Sequence, residues 1–297
     1  MYQKTQHNHN HGNYGFTLVE LSIVLVIIGL IVGGVLVGKD LIETAKIRSQ
    51  IVQIKDFNIA VNTFRVKYNA LPGDIPDPRA SQFGFPPRGT GQATGDNNGA
   101  LEGINGTGVP ISYATGAGET ALFWVDLSMA GFIKDSFNTA TADVPIPGLY
   151  TATSTPSIAD FIPRSELQDD AYVYVWSRNK KNYYGLSNVM AVGSELHSSP
   201  FISVYHAYSI DSKIDDGMPA TGVVKAEYVN AFPTWTLGYP YVNSDGIIAK
   251  NARPAVAIST TTCFDNNNVD NTDYVYSVAL DQGSNLNCGI SFNMDSQ

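Results

Sequence analysis

The sequence predicts an α+β fold: a long N-terminal α-helical spine, membrane-spanning in its first half, packed on a C-terminal globular head with an antiparallel β-sheet. Three observations predict it. Phe16–Val37 is a 22-residue apolar run without proline, long enough to cross a bilayer as a helix at 1.5 Å per residue. Lys39–Tyr68 follows with neither Pro nor Gly. Beyond Ala70, short runs rich in Tyr, Val and Ile alternate with polar turn residues, the pattern of antiparallel strands.

The apolar run holds one charge, Glu20. A carboxylate in hydrocarbon costs roughly 2.5–3.5 kcal/mol even on insertion scales, so it persists where a partner offsets that cost. Glu20 is therefore the first candidate functional residue. An ordinary secretory signal places small residues and a cleavage site after its apolar core. Gly38, Lys39 and Asp40 match that poorly, and the polar leader instead precedes the run and ends at Gly15.

That order, a polar leader, Gly15, Phe16, then Thr-Leu-Val-Glu and an apolar helix, resembles the type IV pilins and pseudopilins. The resemblance implies that residues 1–15 are a leader, cut after Gly15 by a membrane-embedded prepilin peptidase that also methylates the new amino terminus at Phe16. It implies that Glu20, fifth in the mature chain, pairs with the positive amino terminus of a neighbouring subunit. Opposite charges in a low-dielectric core attract strongly, and one left alone is heavily penalised. The leader departs from the usual pattern: it carries Lys4 and His7, His9 and His11 rather than many Lys and Arg. Charge counting by the positive-inside rule therefore does not set the orientation. The resemblance does, placing the chain in the bacterial inner membrane with its head in the periplasm, then in a periplasmic or extracellular filament. The implied partners are copies of itself or related pilins, the prepilin peptidase, the inner-membrane assembly machinery and, before assembly, membrane lipid.

The spine divides into a transmembrane and assembly segment, 16–37, and an amphipathic continuation, 38–69. In the continuation the apolar residues form two seams. One runs through Ile47, Ile51, Ile54, Phe57, Val61, Phe64 and Tyr68; the other through Ala45, Val52, Ile59 and Val66. A helix on one globular surface needs a single apolar stripe. Two seams predict contacts on both sides, to its own head and to neighbouring spines; burial in a larger core is the plainer alternative. Gly29, Gly33, Gly34 and Gly38 weaken the helix by about 1 kcal/mol each relative to alanine. They also permit close helix packing in lipid.

The head, 70–297, opens at Leu71-Pro72-Gly73-Asp74-Ile75-Pro76-Asp77-Pro78, where prolines end the helix. A Gly-rich surface loop is predicted at about 84–118, where ten glycines fall in 35 residues. A helix is expected over Glu119–Ala130, with Leu122, Phe123 and Leu127 packing and Gly131 as its stop. Strands follow at Ala171–Trp176 and Asn188–Val192, with Asn179–Asn182 as a turn. Ser199-Pro200 reads as a helix start leading towards Asp215, and further strands fit Gly222–Tyr228, Ala255–Thr261 and Tyr274–Val278. The segment 207–222 is similar to one recurring in some bacterial pilin-like heads.

Charge is unevenly placed. Lys39–Asn69 carries six Lys/Arg against three Asp/Glu; from Ala70 onward there are 11 against 23. An acidic head favours solubility and disfavours broad nucleic-acid binding. The two cysteines, Cys263 and Cys288, read either as a pair of buried thiols or as a bridge. Export to an oxidising compartment favours the bridge, and the resemblance implies one pinning a C-terminal loop, 263–288.

No constellation for catalysis stands out, and no enzyme activity is expected. His197 and His206 lack a neighbouring Ser or Cys motif, and the glycine-rich segment lacks the strand and Lys-Ser/Thr of a phosphate loop. No organic cofactor is expected, and calcium is the one inorganic ligand worth weighing, since it takes six to eight oxygens. Residues 95–99, the trio Asp211, Asp215 and Asp216, and the group Asp265, Asn267, Asp270 and Asp273 each cluster such oxygens. The last is the preferred group, although Asp and Asn are also ordinary turn residues. The resulting expectation is a structural subunit of a type IV pilus or related filament. A pseudopilin of a type II secretion system is the first alternative. A minor pilin acting as an adhesin or DNA-uptake subunit is the second.

Overall fold

The computed structural model describes residues 17–89, 91, 93–104, 110–111, 115–140, 149–193, 196–229, 242–243, 246–247, 263–265, 274–279 and 283–294. The chain divides into two units, Met1–Ala45 and Lys46–Gln297. Helix α1, Leu18–Tyr68, is 51 residues long, with Glu20 in its first turn and Arg65 and Lys67 in its last, the polarity that complements a helix dipole. Asn69, at φ 51°, ends it in the left-handed conformation, as a residue just past a helix C-terminus commonly does. The expected Phe16–Asn69 helix is thus present from Leu18 onward.

In the first unit the side chains of α1 are exposed nearly throughout, and this is the one described helix long and apolar enough to cross a membrane. In the second unit the two seams separate. Ile47, Ile54, Phe57, Val61, Phe64 and Tyr68 are buried, and Ile51 is half-buried. Val52, Ile59 and Val66 remain 54, 64 and 89 % exposed. Burying the first seam removes several large apolar side chains from water, each contributing about 1.5–3 kcal/mol. A polar latch fixes the register: buried Gln50 accepts from Ser165 Oγ at 2.7 Å and Leu167 N–H at 3.2 Å, and Gln53 Nε2 donates to the Arg164 carbonyl at 2.7 Å.

After α1 the chain turns at Gly73, whose φ is +84°; a Cβ there would lie 2.3 Å from the Glu119 carbonyl oxygen. A short turn of helix, α2 (Arg79–Gln82), follows. Helix α3 (Glu119–Met129) is buried at every residue from Glu119 to Leu127, so it is a core helix and not an amphipathic one. Phe57 of α1 and Phe123 each lie 4.9 Å from the Trp124 ring.

The principal sheet has six antiparallel strands: β1 (Leu149–Tyr150), β2 (Ala171–Arg178), β3 (Lys181–Gly193), β4 (Leu196–Ser199), β5 (Val224–Lys225) and β6 (Ile290–Asn293). Long β3 is its axis. It pairs with β2 from Asn188↔Ala171 to Lys181↔Arg178 and with β6 from Leu186↔Ile290 to Tyr183↔Asn293. β4 and β1 pair with its C-terminal part, and β5 lies beyond β6. The β2–β3 turn places Asn179 and Lys180 at φ 51° and 61°, the two left-handed residues of a type I′ hairpin turn. Gly185 sits opposite Tyr174, where a Cβ would lie 2.2 Å from the ring. That gap admits a buried tyrosine whose hydroxyl accepts from Ser187 Oγ at 3.2 Å and Val229 N–H at 2.8 Å.

Two expectations shift, and one strand was not expected. Ser199 is the last residue of β4, and helix α4 spans Val204–Ile214, capped by Ser203, whose Oγ accepts from His206 N–H at 3.1 Å. The intervening Phe201 and Ile202 are drawn into extended pairing with Cys288, which delays the helix. Strand β6 carries no strong sequence signal at four residues, yet it lies in the middle of the sheet. The Gly-rich segment is not simply a surface loop: Phe85, Arg88, Ala93, Leu101 and Ile104 within it are buried. At the C-terminal side Phe264–Asp265 pairs with Val275–Tyr276, and Cys263 and Cys288 are disulfide-bonded across a sequence separation of 25. The strand expected at 255–261 lies outside the described residues.

Candidate functional site

Gly15 and Phe16 lie outside the described residues; the described chain begins one residue later, at Thr17. There Thr17 and Glu20 cap α1 reciprocally. Thr17 N–H donates to Glu20 Oε2 at 2.7 Å, the Thr17 hydroxyl donates to the same oxygen at 2.9 Å, and Glu20 N–H donates to Thr17 Oγ1 at 3.2 Å. This is a capping box, which satisfies helix N–H groups that have no partner within the helix. Its sequence signature, Thr-x-x-Glu at 17–20, was readable, but the apolar context draws attention to the charge of Glu20 and away from its hydrogen bonds. A capped acid at a helix start is partly neutralised by the dipole and still presents a formal negative charge. Further along α1 the surface is open: nothing lies within 4 Å of a Cβ built on Gly29, Gly33, Gly34 or Gly38.

In the head, the acids gather at the turn that leaves α1. Asp74 Oδ1 accepts from Asn97 N–H at 2.5 Å and Oδ2 from Gly99 N–H at 2.9 Å. Glu119 Oε1 accepts from Gly95 N–H at 3.0 Å, and Oε2 from Glu102 N–H at 3.0 Å. Asp96 completes the trio, with one carboxylate oxygen of each acid within 4.8 Å of one from each of the others. Burial raises Asp74 to about 6 against the pull of the Gly99 and Asn97 N–H groups; burial, then the Asp74 charge, raises Glu119 to about 8. Beside them Arg88 Nη2 lies 2.6 Å from both oxygens of Asp126, each side chain fully buried, and Gly73 N–H donates to Asp126 at 2.6 Å. These contacts explain why the Gly-rich segment is ordered inward. Its backbone donors close on carboxylates supplied by the turn and by α3.

A second trio, Asp211, Asp215 and Asp216, forms where α4 ends. Asp211 accepts from the Tyr276 hydroxyl at 2.8 Å and Gly217 N–H at 3.0 Å. Burial raises it to about 7, opposed by those donors. Asp215 accepts from Val223 N–H, and Asp216 from Met218 N–H at 2.8 Å and the Thr221 hydroxyl at 2.7 Å. Both trios offer hard oxygen ligands of the kind calcium takes, and a cation there would compete with the backbone donors already present. Sequence reasoning singled out 95–99 and the α4 trio, but missed Asp74 and Glu119, which reach the cluster from other elements. Of the preferred group, Asp265 belongs to a two-residue ribbon strand; Asn267, Asp270 and Asp273 lie outside the described residues. His197 and His206 lie on β4 and α4.

Residues 10–36 match the family model described as the prokaryotic N-terminal methylation motif. No curated protein and no solved structure matches the chain. The chain therefore carries the signature of type IV pilin and pseudopilin prepilin-type proteins at its amino terminus, where the motif overlaps the apolar start of α1.

Proposed function

We propose that this chain is a structural subunit of a type IV pilus or related filament, made as a precursor and polymerised through its N-terminal helix. The prepilin-type motif supports processing by prepilin peptidase. The finer reading assigns cleavage after Gly15, methylation at Phe16, and pairing of Glu20 with the amino terminus of a neighbouring copy. The observation that carries it is the matched motif ending within a helix whose apolar side chains are exposed from Leu18 to Ala45. Such a surface needs lipid before assembly and protein after it. Residue by residue, Gly15 and Phe16 supply the scissile bond and new terminus, Glu20 the counter-charge, and the head the displayed surface. No catalytic role is proposed.

The test uses Glu20 variants of the full chain. Glu20→Ala removes both cap and charge, whereas Glu20→Gln keeps a capping-box residue and removes only the charge. Both variants are expected to insert and be cleaved, with mass spectrometry finding a methylated Phe16 terminus, and both should enter filaments poorly. Normal incorporation of Glu20→Gln would refute the pairing role. A mature chain still beginning at Met1 would refute processing. Filaments recovered outside the cell support the pilus; filaments confined to the periplasm favour the pseudopilin reading.

A further inference from the structure

Three polar contacts converge on one peptide of the Gly-rich segment, Asn98-Gly99. Gly99 N–H donates to Oδ2 of buried Asp74 at 2.9 Å, and the other oxygen of that carboxylate accepts from Asn97 N–H. Asn98 Oδ1 accepts from Ala100 N–H at 2.6 Å, an Asx turn that folds the side-chain amide back over the Gly99 peptide. Asn98 Nδ2 donates to Glu102 Oε2 at 3.3 Å. Asn98 and Gly99 are both exposed, and nothing lies within 4 Å of a Cβ built on Gly99, whose φ is +83°. No side chain of its own shields the Gly99 nitrogen, and water reaches the pair.

We propose that Asn98 is a site of self-modification, where the Gly99 nitrogen attacks Asn98 Cγ and the side chain deamidates through a cyclic imide. Each contact then has a chemical role. Asp74 takes the Gly99 amide proton, within the reach of a general base. Ala100 N–H sits on the oxygen that turns negative as the tetrahedral intermediate forms. The new bond from Gly99 N to Asn98 Cγ closes the imide, and the Cγ–Nδ2 bond breaks. The proton held by Asp74 passes through water to Nδ2, which leaves as ammonia beside Glu102. Water then opens the ring at either carbonyl, giving aspartate or isoaspartate, and the acid so formed protonates the ammonia.

The product carries a new negative charge close to Asp74, Asp96, Glu102 and Glu119. Its isoaspartate form also lengthens the backbone by a methylene where the segment is tied to β3. There Gly99 C=O accepts from Asn182 Nδ2 at 2.8 Å, and Leu101 N–H donates to Asn182 Oδ1 at 2.8 Å. Modification therefore loosens the head junction as the chain ages. The inference does not depend on the filament reading.

Freshly purified full-length chain in detergent is incubated at neutral pH and digested. Mass spectrometry follows the peptide holding Asn98 for the gain of about 1 Da as carboxyl replaces amide. The folded wild type should react about tenfold faster, or more, than the same chain unfolded in urea. In urea Asn98 should match Asn105, which also precedes a glycine. Asp74→Asn keeps the size and loses the base, and should slow the folded reaction about tenfold or more. A purely structural Asp74 would give the opposite sign, because loosening the segment frees an exposed Asn-Gly pair. A folded wild type no faster than the unfolded chain overturns the proposal, whether or not the variant folds. A folded Asp74→Asn chain that reacts as fast as wild type, or faster, overturns it as well.

Discussion

Glu119→Gln at the head junction changes one titration while nearly preserving size and shape. The wild-type carboxyl is raised from 4.5 to about 8 by burial and by the Asp74 charge. An acid that holds its proton more tightly when folded contributes stability fully below about pH 4.5. That contribution falls as pH rises towards 8 and is gone above it. At about 1.4 kcal/mol per pH unit the limit is on the order of 5 kcal/mol. Asp74, raised to about 6, acts in the same sense at lower pH. Glutamine has no such window. Its Oε1 can accept from Gly95, but its amide nitrogen cannot accept from Glu102 N–H, which leaves a buried donor unmet at about 1–3 kcal/mol. The variant should therefore be less stable than wild type at pH 5 and more stable at pH 9, with the curves crossing between. Urea unfolding of the full chain in detergent, followed by tryptophan fluorescence, reads this, because Trp124 is fully buried beside α1. The whole acidic protein also loses stability through self-repulsion at high pH, and the difference between the two chains removes that shared part. A stability gap that stays constant from pH 5 to 9, or widens against the variant as pH rises, would refute the reasoning.

Arg88→Met should destabilise the head by about 3–5 kcal/mol, because the fully buried Asp126 loses its counter-charge. Arg88→Met/Asp126→Leu should recover most of that loss in the same unfolding assay, and a double variant as unstable as the single would contradict the ion-pair account. Replacing both Cys263 and Cys288 by alanine should cost about 3–4 kcal/mol, from the entropy of closing a loop of 25 residues. Thermal melting under oxidising and reducing conditions checks it: reduction should lower the wild-type melting temperature and leave the alanine variant unchanged.

Different parts of the molecule were legible to different degrees. Helix α1 was read in full because its signals are local: a proline-free run, a period near 3.6 and two seams whose separation around the helix follows from spacing alone. The separation of those seams in the structure, one buried and one exposed, is the same geometry seen from the inside. Helix α3 was found by its glycine stop, but its burial on all sides was not, since that depends on what covers it. The start of α4 was placed four residues early because Ser199-Pro200 carries the better local cap signal, and pairing of Phe201 and Ile202 with Cys288 overrides it. The Gly-rich segment looked like solvent-facing chain because glycines give no apolar pattern. Its inward course comes from backbone N–H groups, which every residue has and no sequence pattern displays.

By itself the sequence determined that the chain opens on a prepilin-type motif running into an apolar helix that carries Glu20. Each of these is set by residues within a few positions of one another, and the methylation motif over residues 10–36 agrees. It also determined that the head would be acidic and built on antiparallel strands. Only the tertiary structure decided that Asp74, Asp96 and Glu119 share one cluster, that Gly185 makes room for Tyr174, and that short Ile290–Asn293 lies inside the sheet. Those are contacts between residues from 11 to more than a hundred positions apart. Their energy depends on burial and mutual approach, and neither exists until the chain has closed on itself.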